Sequence, residues 1–187
     1  MRSPADRKRI LDFVRAVLED FLSAPDARGS RMAAGGRRPD ILLDDNSPAP
    51  VFITLTANGR LRGCVGSLAP ESDLLLTLAG TAIRSASRDR RFPPLLPGEL
   101  AGTRIEVSIL SPMEKAADAS AIREKTHGVF LRRGGSSGLF LPQVWRQIRS
   151  KERFLEELCR SKAGLPPDAW RDPATEIFVF TVEKISE

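Results

Sequence analysis

The dipeptide Asn58-Gly59 stands between two short segments that alternate apolar and polar side chains, residues 51–57 and 60–68. Asn-Gly supplies the positive φ angles of a two-residue hairpin turn, so the pattern predicts an antiparallel ribbon with these two residues at its tip. A two-residue turn also fixes register. It sets Ala57 opposite Arg60, Leu55 opposite Arg62 and Ile53 opposite Cys64. Alternation then puts Arg62 and Cys64 on one face, with Cα atoms about 6.5–7 Å apart, twice the strand rise. Gly63 and Gly66 leave room in the same strand for close approach by another segment or by a ligand.

The rest of the chain mixes helices with short strands. Ser3-Pro4 offers a capping hydroxyl and then proline at a first helical position. Ile10, Leu11, Val14, Val17, Leu18 and Phe21 follow at helical spacing and predict a helix over 4–22. Residues 23–50 lose periodicity and are rich in Gly, Pro, Asp and Arg, a long loop with Ile41-Leu42-Leu43 to pin its middle. Within it, residues 25–40 are expected to be the least ordered internal segment, having little apolar surface to offset the cost of ordering. Ser72 is placed to cap a helix to 88, with Leu75, Leu78, Ala79, Ala82 and Ile83 on its buried stripe. After Pro93, Pro94 and Pro97, residues 104–110 (RIEVSIL) alternate as a strand. A short helix is expected over 119–125, then strands 128–133 and 138–141 about a turn at 134–137. Helices over 143–149 and 151–163 follow, the second closed by Gly164, and residues 176–182 form a last strand. This interleaving gives an α+β class, with a helix–hairpin–helix rhythm in each half.

Composition narrows the function. The 187 residues suit one domain, or two small lobes sharing a core. With 41% apolar and 28% charged residues, disorder along the whole chain is excluded. No apolar run approaches the roughly 18–20 residues of a membrane span. The charged start MRSPADRKRILDF lacks the apolar stretch of a signal peptide, so a cytoplasmic, reduced setting with no membrane partner is expected. Two cysteines make no disulfide framework, and a single histidine without metal-ligand spacings points to no metal site. The net charge of +5 comes mostly from arginines scattered among nearly as many acids, and there is no tyrosine. Few aromatics are available to stack bases, so a basic surface fits better than a nucleic-acid groove.

Cys64 carries the most chemistry. A cation beside a thiol favours the thiolate, which makes Cys64 next to Arg62 a candidate nucleophile or redox group. The opposing reading is a small cysteine packed between glycines beside Ile53 and Leu55, in an apolar setting that disfavours the charge. Cys159, near the apolar face of a helix, reads as structural. In RIEVSIL, Ile105, Val107 and Ile109 face one way while Arg104, Glu106 and Ser108 face the other. Glu106 is either on a solvated face or in need of a partner, and with a partner it is either structural or a catalytic carboxylate that could serve as base. His127 is either a capped residue or a base for the thiol. Thr54, Ser108 and Gln143 can hydrogen-bond a polar ligand, Gln143 from a helix start.

The segment LRGCVG, residues 61–66, resembles the LRGCIG signature of the AMMECR domain family. The likeness continues in FITLTANGRLRGCVGSL, RDRRFPPL, RIEVSILSP, HGVFLRRG, GLFLPQVW and KAGLPPDAW, in that family's order. Val65 replaces isoleucine, and Arg90 stands where proline is usual, without loss of a functional group. The resemblance implies one domain over 1–187, with a two-lobed core over 51–187. It implies two β/α repeats around a barrel-like, mostly antiparallel sheet, with flanking helices and a cleft between lobes. The register above adds to this cleft: Arg62 and Cys64 on one face would stand with Glu106, the sole acid of RIEVSIL, Arg62 pairing with it or clamping an anion, and His127 or Gln143 would lie opposite. The resemblance names no reaction and no cofactor. The bacterial system AmmeMemoRadiSam, in which the family occurs, implies a Memo-like protein and a radical S-adenosylmethionine protein as partners. A small enzyme using Cys64 and a non-catalytic adaptor are therefore the two functional readings, with a nucleic-acid module resting on charge alone.

Overall fold

The structure, a computed structural model, describes residues 2–23 and 41–187. The segment 25–40, expected to be the least ordered, lies outside the described residues. In chain order the helices and strands are α1 (Pro4–Ser23), β1 (Val51–Ala57), β2 (Arg60–Ser67), α2 (Leu74–Ser87), β3 (Thr103–Leu110), β4 (Glu114–Lys115), β5 (Gly128–Arg133), β6 (Ser136–Phe140), α3 (Lys151–Leu158), β7 (Glu176–Phe180) and β8 (Val182–Ser186). They divide into two compact units, one running to Ile109 and including Glu183–Glu187, the other Leu110–Val182.

In the first unit, the Ser3 hydroxyl accepts the Asp6 N–H at 3.1 Å and starts α1 as the sequence implies. The hairpin turns at Asn58 and Gly59, with φ of 51° and 72°. Helix α2 is capped by Asp73 rather than Ser72, its carboxylate accepting the Leu76 N–H at 2.8 Å. The strands are ordered β2-β1-β3-β8. Val51, Ile53 and Leu55 of β1 and Ile105, Val107 and Ile109 of β3 form one fully buried face. That face packs in one core with Leu74, Leu78 and Ala82 of α2 and Ile10, Val14 and Leu18 of α1. Each such Leu, Ile or Val contributes about 1.5–3 kcal/mol when fully buried. Ile41 and Leu43 lean on the same core, and Leu42 between them is exposed.

In the second unit, the strands are ordered β4-β7-β5-β6. The β5–β6 turn is two residues, Gly134-Gly135, because Arg133 pairs with Ser136. Val129, Leu131, Ile177 and Val179 form the buried face and share a core with Phe154, Leu155 and Leu158 of α3. Trp145 stacks on Phe154, with centroids 3.7 Å apart. Three helical expectations shorten. Residues 119–125 keep a 3-10 turn at Ala119–Ala121, and 143–149 become a 3-10 turn at Pro142–Arg146. Helix 151–163 is α3 followed by a π-helical turn, Cys159–Ala163, closed by Gly164 at φ 65°.

The α+β class holds, but the single barrel-like sheet does not. The described residues form two four-stranded sheets, each with its own hydrophobic core. The physical reason is that each hairpin has a helix of its own to cover its apolar face, so neither sheet has to close on itself for burial. The two units repeat one connection. In each, a hairpin is followed by a helix and a third strand that returns beside the hairpin's first strand, giving β2-β1-β3 and β6-β5-β7.

Candidate functional site

The hairpin register carries one irregularity, and it decides where Cys64 points. Ala57 pairs with Arg60 and Thr56 with Leu61, but Leu55 pairs with Gly63. Arg62 is therefore an extra residue, a β-bulge. Beyond it every pairing moves by one, so Thr54 opposes Cys64 and Ile53 opposes Val65. The expected pairs Leu55–Arg62 and Ile53–Cys64 are incorrect, and so is the shared face of Arg62 with Cys64. Cys64 lies on the sheet face away from the core.

On that face β1 also pairs Thr54 with Glu106 of β3. A polar row results: Cys64, Thr54, Glu106, and then Lys184 of β8, whose Nζ is 2.6 Å from Glu106 Oε2. The Cys64 thiol and Thr54 hydroxyl are in hydrogen-bond contact at 3.3 Å. Ser108 lies on the same face, opposite Phe52, one row along. It is 3% exposed, and its hydroxyl has no hydrogen-bond partner among the described residues. That oxygen is not sealed, because the side-chain polar atoms both sealed and unpartnered among the described residues are Arg2 Nε and Trp170 Nε1.

Cys64 is held from the sheet edge as well. Strand β2 is an edge strand, so outward N–H and C=O groups need partners. The Cys64 N–H donates to Asp89 Oδ2 at 2.8 Å, and its carbonyl accepts from Arg91 Nη2 at 3.2 Å. Asp89 and Arg91 form a fork at 2.9 Å and 2.7 Å. The Arg91 guanidinium first, and then the N–H groups of Cys64 and Arg91, hold the Asp89 carboxyl well below the usual carboxylate range. The sequence reads Asp89, Arg91 and Phe92 as anchors of the loop before the prolines, and the structure adds that the first two hold Cys64. Their signal was a lone acid among Arg88, Arg90 and Arg91, which calls for a partner.

The glycines have occupants. A Cβ at Gly63 would stand 2.2 Å from the Ser85 carbonyl oxygen of α2. That close approach lets the Ser85 hydroxyl accept from the Val65 N–H at 3.2 Å and donate to the Ile53 carbonyl at 3.0 Å. A Cβ at Gly66 would stand 2.3 Å from the Phe52 ring. The space at both glycines is filled by the protein itself.

The expected Arg62–Glu106 pair is corrected too. Arg62 Nε and Nη2 each donate to Glu99 at 2.8 Å. Its Nη1 and Nη2 also donate to the carbonyls of Pro93 and Pro94, at 2.7 and 3.2 Å. The bulge takes Arg62 out of the strand alternation, and the fork spends its donors on the proline loop. Glu99 accepts from the Leu96 N–H as well, and its carboxyl is held low, first by Arg62.

His127 and Gln143 belong to the second unit. His127 is 7% exposed, with the Arg123 backbone N–H 3.2 Å from Nδ1 and Arg123 Nε 3.0 Å from Nε2. A neutral imidazole accepts at one nitrogen only, so one of these two donors is accepted at a time. Burial, and then the Arg123 charge, push the ring pKa down. The His127 carbonyl accepts from Trp145 Nε1 at 2.8 Å, which ties the turn to the core. Gln143 is exposed on the Pro142–Arg146 turn. Cys159 is fully buried, and burial pushes its thiol pKa up.

A groove of about 530 Å³ in the second unit is lined by Lys115, Asp118, Trp170 and Asp172 among others, and contains none of these candidates. Its charged groups are largely committed, Lys115 to Glu176 and Asp172 to Arg133, which makes it a weaker centre for chemistry than the thiol row. Among the described residues, no group of three or more His, Cys, Asp or Glu is placed to hold a metal ion. No helix there is long and apolar enough to cross a membrane.

The AMMECR1 family profile matches residues 12–185. A protein of Methanothermobacter thermautotrophicus is 38% identical over 188 residues, covering 96% of this chain and 93% of the relative. A protein of Methanopyrus kandleri is 40% identical over 151 residues, covering 73% and 70%. The crystal structure of an uncharacterized protein from Pyrococcus horikoshii superposes with a TM-score of 0.82 at 30% identity, over 100% of this chain and 93% of that one.

Proposed function

The chain belongs to the AMMECR1 family, and from that premise we propose that it binds a small polar molecule on the outer face of its first sheet, with Cys64 as the reactive group. The observation that carries this reading is the row Cys64–Thr54–Glu106, in which a part-exposed thiol touches a hydroxyl at 3.3 Å on a strand fixed from both sides. Cys64 is the nucleophile or redox thiol and Thr54 orients it. Glu106, paired with Lys184, is the acid–base group of the row, and Ser108 offers a free hydroxyl to the ligand. Arg62, Gly63 and Gly66 shape the strand. Of the two candidate bases, His127 and Glu106, the role goes to Glu106, because the His127 ring faces Arg123 on both nitrogens. A reduced, cytoplasmic setting belongs to this reading, since a working thiol must stay unpaired.

A second reading is a non-catalytic adaptor for a Memo-like protein and a radical S-adenosylmethionine protein. It is favoured by Leu61 and Leu96, 41% and 61% exposed, each next to the Arg62–Glu99 fork. Exposed leucines of this kind suit a protein partner better than a small ligand.

Native mass spectrometry separates the two. Wild-type protein passed through a small-molecule extract should retain a ligand that Cys64→Ala and Thr54→Val both lose, with folding intact. Equal retention by all three proteins, or none by the wild type, contradicts the binding reading. Loss of partner capture in Leu61→Asp and Leu96→Asp, with no ligand found, would favour the adaptor.

A further inference from the structure

Three arginines, Arg88, Arg90 and Arg91, flank one acid, Asp89, along the loop that follows α2, and Arg91 pairs with it. All three arginines are exposed, and Asp89 has a side chain only 7% exposed. Among the described residues, Arg88 and Arg90 have no acidic partner. The loop is not free to drift, because Asp89 and Arg91 grip the N–H and C=O of Cys64. Arg91 uses Nε and Nη2 in that grip, while its Nη1 donates to no oxygen among the described residues. A guanidinium held rigid on one edge with donors left on the other is a ready receptor for an oxyanion. Arg62, the cation expected for that purpose, has all three nitrogens engaged by Glu99, Pro93 and Pro94.

We infer that the Cys64 site is selective for anions: the Arg88–Arg91 loop, with Arg91 as its fixed donor, recognises a carboxylate or phosphate on the molecule that meets the thiol. This rests on the reading of Cys64 as the reactive group and adds the charge class of its ligand. A hydrogen-bonding wall for the remainder of such a molecule is present on the same face, in Thr54 and the buried, unpartnered Ser108. The net positive loop also draws anions toward the site before contact.

The test uses two alkylating agents that differ in charge, iodoacetate and neutral iodoacetamide, on the full native chain with Cys64 read by peptide mapping. The ratio of the iodoacetate rate to the iodoacetamide rate is compared with the same ratio for N-acetylcysteine amide, a neutral model thiol. At low salt, the ratio at Cys64 should exceed the model value about 3- to 10-fold, in line with one charge-assisted contact. It should fall toward the model value as ionic strength rises and screens the loop. Arg91→Gln should bring the iodoacetate-to-iodoacetamide ratio down to the model value, a ratio that cancels any change in the thiol's own reactivity, and Arg146→Gln in the second unit should leave the preference intact. The salt series on wild-type protein stands by itself should Arg91→Gln fold poorly. Protection of Cys64 by inorganic phosphate but not acetate assigns a phosphoryl ligand, and protection by acetate assigns a carboxylate. A ratio equal to the model thiol at low salt, with Cys64 reacting readily, overturns the anion inference and leaves the thiol reading standing. Failure of both reagents at Cys64 overturns both.

Discussion

The two units answer the same folding problem and differ on one face. The Cys64–Thr54–Glu106 row of the first unit has a counterpart in the second, where Leu139 opposes Phe130 and Phe130 opposes Phe178. Both rows follow a glycine in the equivalent strand. Gly63 admits the backbone of α2, and Gly138 admits the π-helical turn after α3, where a Cβ would stand 2.8 Å from the Ala163 nitrogen. Glycine and the buried inner rows are what the repeated connection needs in order to fold. The outer row is not set by that need, so one unit carries a thiol, a hydroxyl and a carboxylate where the other carries two phenylalanines, 5.9 Å apart, and a leucine.

Substitution of the two glycines should break both units, unequally. Gly63→Ala forces a methyl against a backbone oxygen and should cost about 3 kcal/mol or more in urea unfolding. Gly138→Ala meets the Ala163 nitrogen and Lys162 Cβ at 2.8 Å, less close than the 2.2 Å at Gly63, and should cost about 1–3 kcal/mol. A harmless Gly63→Ala would mean that the close approach of α2 does not constrain the motif.

Arg62→Ala removes a fork and two carbonyl contacts that only the first unit has. A loss of about 2 kcal/mol is expected, with the 93–99 loop becoming faster in hydrogen exchange while β5–β7 stay protected. Uniform loosening of both units would contradict the local role of the bulge.

Acid should act on the first unit through Asp89 and Glu99. Both carboxyls are lowered on folding. Their stabilisation is therefore fully present above the unfolded values, about 3.9 and 4.3, and is lost as pH falls below them through the lower folded values. Asp89→Asn should flatten that acid slope and cost about 1–2 kcal/mol at neutral pH through its lost charged contacts. An unchanged slope in the variant would show that Asp89 does not clamp Cys64 in solution.

The smallest effect on folding should come from the residue with most chemistry. Cys64→Ala should shift the unfolding free energy by less than about 1 kcal/mol, whereas Cys159→Ala, which empties a fully buried position, should cost about 1 kcal/mol or more. The reverse order would make Cys64 a packing residue.

Much of this architecture was legible in sequence. Asn58-Gly59 placed the hairpin, the spacing in α1 and RIEVSIL placed the core faces, and Gly164 ended its helix. The site was legible by residue but not by arrangement. Counting from the turn assumed an unbroken ladder, and one extra residue at Arg62 turned every later side chain to the other face. An unbroken ladder would put Cys64 beside Ile53 and leave Arg62 on its face, in need of Glu106, and the bulge removes both relations. A glycine after an arginine inside a strand was the available hint of a bulge. The Asp89–Arg91 grip joins positions 25 and 27 residues from Cys64, and no local pattern encodes such a contact. His127 was chemically apt in isolation. Only the position of Arg123 showed its ring to be occupied.

The claim that the first unit's outer row is the working face is tested most directly by peptide-mapped labelling of the native protein with iodoacetamide. Cys64, part-exposed beside Thr54, should be modified at least about tenfold faster than the fully buried Cys159, whose thiol is pushed up by burial. Equal or slower labelling of Cys64 would contradict the account and leave the row as architecture.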